Sequence, residues 1–254
     1  MSLLHINNLT MRFGGLTAVD AVTETIEPLS LAGLIGPNGA GKTTVFNMIT
    51  GVYQPTEGEI LFDALSIVGS NPHEIANQGI ARTFQNIRLF PSLSVFDNVR
   101  VGFNNASKTG LFGSILQPGR YWTEEKEIAD KIDHLLGMFG LLDNRQELAK
   151  NLSYGDQRRV EIVRAMATDP KLLLLDEPAA GMNPTEKVEL MNLIRYLRDE
   201  FKIAILLIEH DMKVVMGICE KIAVLDHGAK IASGTPEEVK NNPEVIKAYL
   251  GESG

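Results

Sequence analysis

The run Gly36-Pro37-Asn38-Gly39-Ala40-Gly41-Lys42-Thr43-Thr44 spaces its glycines, a lysine and a hydroxyl as G-x-x-x-x-G-K-[ST]. It follows the apolar stretch Leu31 to Ile35 and precedes the helix-forming run Lys42 to Thr50. In that setting the backbone N–H groups of a glycine-rich turn converge on phosphate oxygens, and the N-terminus of the following helix adds partial positive charge. Lys42 is placed to reach β and γ phosphates. The Thr43 hydroxyl is placed on Mg²⁺, a hard ion that takes oxygen ligands and keeps several waters.

A second group of reactive residues closes two other apolar runs. Leu172 to Leu175 leads into Asp176 and Glu177, so a buried strand ends in two carboxylates at the sheet edge where ligands bind. Asp176 is expected to hold the magnesium ion. Glu177 is expected to accept a proton from the attacking water, or to orient it. His210 follows Ile203 to Ile208 and Glu209 at another strand end, where a neutral imidazole would hydrogen-bond the γ phosphate or that water. Gln85, in Arg82-Thr83-Phe84-Gln85, has an amide suited to magnesium and water, though its local sequence equally fits a surface glutamine. No histidine pairs with Cys or His at zinc-ligand spacing.

The elements that must position these groups are strands alternating with helices, which predicts a mostly parallel sheet covered on both faces. Alternation in Leu3 to Phe13 and Val19 to Ile26 predicts antiparallel strands beside the nucleotide site. Between Phe90 and Met166 the period becomes helical, with Ile128, Ile132, Leu135, Leu136 and Phe139 on one face. An inserted helical lobe is therefore expected over 90–166, within a core formed by 1–89 and 167–254. The segment Asn104 to Trp122 reads as a long loop. At 254 residues with a single phosphate loop, the chain is expected to hold one nucleotide-binding domain, and a second nucleotide site must come from another chain. The net charge of −8, with scattered Lys and Arg, argues against a nucleic-acid partner. One cysteine, Cys219, permits no internal disulfide, and no apolar run approaches the roughly 20 residues of a membrane helix. The expectation is a cytoplasmic protein that meets a membrane only peripherally.

Asn151-Leu152-Ser153-Tyr154-Gly155-Asp156-Gln157 resembles the signature of ABC ATPases, and together with the preceding motifs the chain is similar to that family from Leu4 to Glu252. The resemblance implies a P-loop NTPase of the ABC-ATPase fold, with a RecA-like core, an N-terminal antiparallel β subdomain and an inserted helical subdomain. It implies two cassettes paired head to tail, with Ser153 and Gly155 facing the γ phosphate held by the other chain. Phe13 matches the aromatic that stacks on adenine, a core phenylalanine being the alternative. Tyr154 and Asp156 depart from the common Leu-Ser-Gly-Gly-Gln. Asn183 stands where an aspartate is frequent, and Pro28-Leu29-Ser30 lacks the usual Gly-Glu.

Within the family, Arg82 to Phe90, Glu177 to Gly181, Ile208 to Met212 and the ending Asn242 to Gly251 look like ATP-binding subunits of bacterial branched-chain amino-acid importers. That resemblance implies ATP and Mg²⁺ as cofactors and a second ABC ATPase subunit, identical or related. It also implies two transmembrane permease subunits, indirectly a substrate-binding protein, and a place on the cytoplasmic face of the inner membrane. Asn86 to Val95 would line the groove that receives the permease, with Leu89, Phe90 and Leu93 either at that contact or in the lobe core. Lipopolysaccharide-export ATPases are the alternative within the family. A soluble ABC ATPase acting on DNA or ribosomes would need long coiled coils or two cassettes, and neither is present.

Overall fold

Every residue of the strands β3 (Leu31–Ile35), β7 (Leu172–Asp176) and β8 (Ala204–Ile208) is buried, as a parallel sheet covered on both faces requires. The computed structural model describes residues 2–105 and 118–250. It divides into two compact units, Met1–Arg82 with Lys171–Gly254, and Thr83–Pro170.

The first unit carries two sheets. The smaller is antiparallel, in the order β2-β1-β4-β5, from β1 (Leu4–Phe13), β2 (Leu16–Ile26), β4 (Glu57–Phe62) and β5 (Leu65–Ser66). β2 begins at Leu16 rather than the expected Val19, because Phe13 pairs with Leu16 across the two-residue turn Gly14-Gly15. The larger sheet runs β10-β9-β3-β8-β7-β6, with β6 (Ile80–Arg82), β9 (Lys221–Asp226) and β10 (Ala229–Gly234). Its pairings are parallel except the β9-β10 hairpin. The two turn residues of that hairpin, His227 and Gly228, have φ of 44° and 84°, the double positive φ that lets a tight turn follow strand twist.

Helix α1 (Lys42–Ile49) joins the sheets. Its Val45, Phe46, Met48 and Ile49 lie in one hydrophobic cluster with Leu4, Leu9 and Val22 of the small sheet and Leu34, Leu174 and Leu206 of the large one. The phosphate loop is therefore anchored at both ends in packed structure. Helix α2 (Pro72–Gln78) precedes β6, and α6 (Pro184–Phe201), α7 (Met212–Ile218), α8 (Pro236–Lys240) and α9 (Pro243–Leu250) complete the unit. Cys219 is buried and unbridged, and desolvation pushes its thiol up to about 12. It behaves as a small apolar residue.

The second unit is helical, with α3 (Val95–Arg100), α4 (Pro118–Met138) and α5 (Tyr154–Met166). Ile132, Leu135, Leu136 and Phe139 are buried as the helical period demands. The loop expected over Asn104 to Trp122 needs correction at its end, since Pro118 already opens α4. Proline has a preset φ and no N–H to leave unsatisfied, so it suits a first helical position. Of that expected loop, residues 106–117 lie outside the described residues.

Candidate nucleotide site

The phosphate loop takes a backbone shape open to few residues other than glycine. Gly36 has φ 148°, and a Cβ there would sit 2.1 Å from the Leu225 carbonyl oxygen. Gly41, at the N-cap of α1, has φ 99°, and its Cβ would meet the Ala18 carbonyl at 2.5 Å. Gly39, with φ 79°, has open space where its Cβ would be. Lys42 is 8% exposed, and its ammonium donates to the carbonyls of Gly36 and Pro37, each at 2.7 Å. A buried cation thus lies inside the curl of the loop, beside the start of α1, and this suits an anionic phosphate chain. Asn38 and Thr43 are exposed, Pro37 and Ala40 are buried, and Thr44 is intermediate.

Strand order assembles the rest. β8 lies between β3 and β7, so three neighbouring strands deliver the phosphate loop, His210, and Asp176 with Glu177 at their C-terminal ends. Asp176 pairs in register with Ile208, and the Glu177 N–H donates to the Ile208 carbonyl at 2.9 Å. Glu177 has φ 48°, a left-handed conformation uncommon for a residue with a Cβ. Its carboxylate is 3.7 Å from Nδ1 of His210, whose side chain is 64% exposed.

Two residues near this site, Arg82 and Glu209, lie in segments singled out in the sequence, which assigns them no role. The Arg82 guanidinium donates to Asp176 at 2.9 Å and to Asn47 Oδ1 at 2.7 Å, with the charged pair 7% and 4% exposed. Arg82 also stacks over Phe46 at 5.5 Å, so it fastens the β7 carboxylate to α1. Glu209 is fully buried. Desolvation raises its pKa, against the lowering by N–H donors from Ala179, Asp211 and His210. Nearby, a hydrogen bond from Lys187 lowers the pKa of Asp211, with burial opposing it.

The donor set fits a magnesium ion held mainly by phosphates and water. Asp176 and Thr43 offer hard oxygen donors, and among the described residues no cluster of three or more His, Cys, Asp or Glu forms an all-protein cage. Phe13 is 42% exposed and meets Tyr53 edge-on, with centroids 5.3 Å apart, which leaves aromatic surface available for a base. A cleft of about 560 Å³ beside the loop is lined by Pro37, Asn38, Asp226, His227, Glu244 and Lys247, so the C-terminal helix flanks the phosphate loop.

Gln85, Ser153 and Gly155 belong to the second unit. Ser153 caps α5, accepting from the Asp156 N–H at 3.2 Å and donating to the Asp156 carboxylate at 2.8 Å, so the unusual aspartate orients the serine hydroxyl. Tyr154 is 47% exposed. Arg158, buried and paired with Glu161 at 2.8 Å, donates to the carbonyls of Phe84 and Gln85 at 2.5 and 2.6 Å. Asn98, also buried, accepts from the Phe90 N–H at 2.8 Å and donates to the carbonyls of Phe90, Leu93 and Ser94. Phe90 and Leu93 are then presented outward, 48% and 36% exposed, while Leu89 is half-buried. In the first unit, Asn183 caps α6 through a capping box with Glu186, which accounts for an asparagine at that position.

Residues 19–180 match the family described as ABC transporter, and with this fold and site the chain belongs to that family as an ATP-hydrolysing cassette. Residues 229–254 match the family described as branched-chain amino acid ATP-binding cassette transporter. Over 251 residues the chain is 50% identical to the high-affinity branched-chain amino acid transport ATP-binding protein LivG of Escherichia coli, covering 99% of this chain and 98% of that one. It is 34% identical over 252 residues, with 99% and 98% covered, to the lipopolysaccharide export system ATP-binding protein LptB of Haemophilus influenzae. A solved ATP-binding cassette of an ABC transporter, in its ADP conformation, superposes with a TM-score of 0.86 at 29% identity, covering 99% of each chain. Among the described residues no helix is long and apolar enough to cross a membrane.

Proposed function

We propose that this chain binds ATP with Mg²⁺ in the cradle of Gly36 to Thr44 and hydrolyses it to energise import of branched-chain amino acids through a membrane transporter. The observation that carries the reading is the meeting, at three adjacent strand ends, of a buried lysine inside the loop, Asp176, and Glu177 with His210 at 3.7 Å. Lys42 and the loop N–H groups hold the phosphates, and Phe13 stacks on adenine. Thr43 and Asp176 would hold the metal ion, which would neutralise developing charge on the phosphates. Glu177 takes the proton of the water that attacks the γ phosphorus as the bond to the leaving oxygen breaks, and His210 orients that water.

Ser153 and Gly155, at the N-terminus of α5, face the nucleotide of a second cassette, identical or related, and ATP bridges the two. Closure of that pair passes to two permease subunits, which a substrate-binding protein supplies. The outward Phe90 and Leu93, on a loop held from within by Asn98, support a contact with a permease at the cytoplasmic face of the inner membrane. Branched-chain import is favoured over lipopolysaccharide export by the C-terminal family match and by 50% identity against 34%.

The test is uptake of dilute labelled leucine in cells lacking this chain, complemented by the native chain or by Lys42→Ala. Restoration by the native chain alone supports the reading. Unchanged uptake with a defective outer envelope moves the export ATPase ahead. In the purified protein, Glu177→Gln should keep ATP binding and lose turnover; near-native hydrolysis would remove Glu177 from the role of base.

A further inference from the structure

We infer that Glu209 is a positioning residue for hydrolysis, a buried carboxylate that ties the segment following Glu177 to the segment carrying His210 so that the two move as one. The inference rests on the nucleotide site proposed above. One oxygen of Glu209 accepts from the Ala179 N–H at 2.7 Å, and the other accepts from the N–H groups of His210 at 3.1 Å and Asp211 at 3.3 Å. That second oxygen lies 3.9 Å from His210 Nδ1, which is itself 3.7 Å from Glu177. The carboxylate therefore sits behind both groups that face the attacking water, without being at the surface itself.

A local cap does not account for this arrangement. Asp211 already caps α7 with its own side chain, and the bond to Ala179 crosses 30 residues of chain to reach a backbone group two positions from Glu177. Burying a full negative charge is costly unless it is well paired. Here its partners are backbone donors on two different loops, and only a carboxylate offers acceptors in both directions. Its amide isostere would turn an NH₂ group against either the Ala179 N–H or the pair at His210 and Asp211, releasing one loop from the other.

The experiment compares ATP turnover in the purified full chain and in Glu209→Gln, His210→Ala and the double variant, with nucleotide affinity read from a fluorescent ATP analogue and folding from thermal melts. Glu209→Gln should remain folded, bind the analogue within about twofold of native, and lose roughly 10- to 100-fold in kcat, since small misplacements of reacting groups cost that much. Because the effect runs through His210, the double variant should be no slower than the slower single. Native-like kcat in folded Glu209→Gln, or losses that multiply in the double variant, would overturn the inference. If Glu209→Gln does not fold, Glu209→Asp, which keeps the charge and shortens the reach, enters the same cycle with the same outcomes. Failure of both to fold would assign Glu209 a structural role instead. Glu177→Gln, run alongside, separates the two claims: active Glu177→Gln rejects the site itself, whereas inactive Glu177→Gln beside unimpaired Glu209→Gln rejects only the positioning role.

Discussion

Replacing Arg82 with methionine removes one half of a buried ion pair and leaves the Asp176 carboxylate, 4% exposed, without its guanidinium. At 2.9 Å and an effective dielectric near 20, the direct attraction is about 6 kcal/mol, most of it offsetting the cost of desolvating both groups. Deleting one partner exposes the other's desolvation, so Arg82→Met should destabilise the nucleotide-free chain by about 3–5 kcal/mol. For a chain of this size that is a fall in melting temperature of roughly 6–20 °C. Circular dichroism melts and urea titrations of the native chain, Arg82→Met, Asp176→Leu and the double variant measure it. In the double variant the stranded charge is gone, and at least half of the loss should be recovered. A single-variant cost under about 1 kcal/mol, or the same cost in the Asp176→Leu background, would refute the argument that the pair sets the energetics of this corner.

Three further outcomes are expected. Gly36→Ala should abolish nucleotide binding and destabilise the fold, since its Cβ falls 2.1 Å from a backbone oxygen, whereas Gly39→Ala, in open space, should cost only about 1–2 kcal/mol for its positive φ; nucleotide titration and urea unfolding compare the pair. Asp211, whose pKa is lowered first by the Lys187 hydrogen bond, contributes stability above the ordinary carboxylate pKa of about 4 and loses it as pH falls through its lower folded value. Asp211→Asn keeps a capping side chain, so its stability deficit at pH 7 should shrink as pH falls below about 4 in urea titrations run across pH. Asn183→Ala should cost about 1 kcal/mol through loss of the α6 cap, while Asn183→Asp should stay within a few tenths, both read from urea midpoints.

The phosphate loop was legible because its chemistry is local. Nine consecutive residues specify both the backbone shape and the groups it presents, and the flanking strand and helix are local patterns as well. The same holds for the strand ends bearing Asp176, Glu177 and His210, since burial on both faces leaves an uninterrupted apolar run that stops at a polar residue. The helical period around Ile132 and Leu136 was readable for the same reason, but the start of its helix was not, because a proline followed by a glycine, Pro118-Gly119, fits a loop as well as a first helical turn.

Arg82, Glu209, Asn98 and Arg158 carried no such signal. Arg82 meets Asp176 across 94 residues, and Arg158 meets the Gln85 carbonyl across 73, so neither partner is visible from the other's neighbourhood. Their burial is tolerable only because the folded chain brings acceptors to them, and no local pattern distinguishes an arginine bound for the interior from one bound for solvent. The sequence by itself thus determined which groups do chemistry, because phosphate recognition and strand termination are written in short runs. Only the tertiary structure decided how those groups are held, because the parallel sheet order makes β8 the neighbour of both β3 and β7 and so brings distant side chains behind the site.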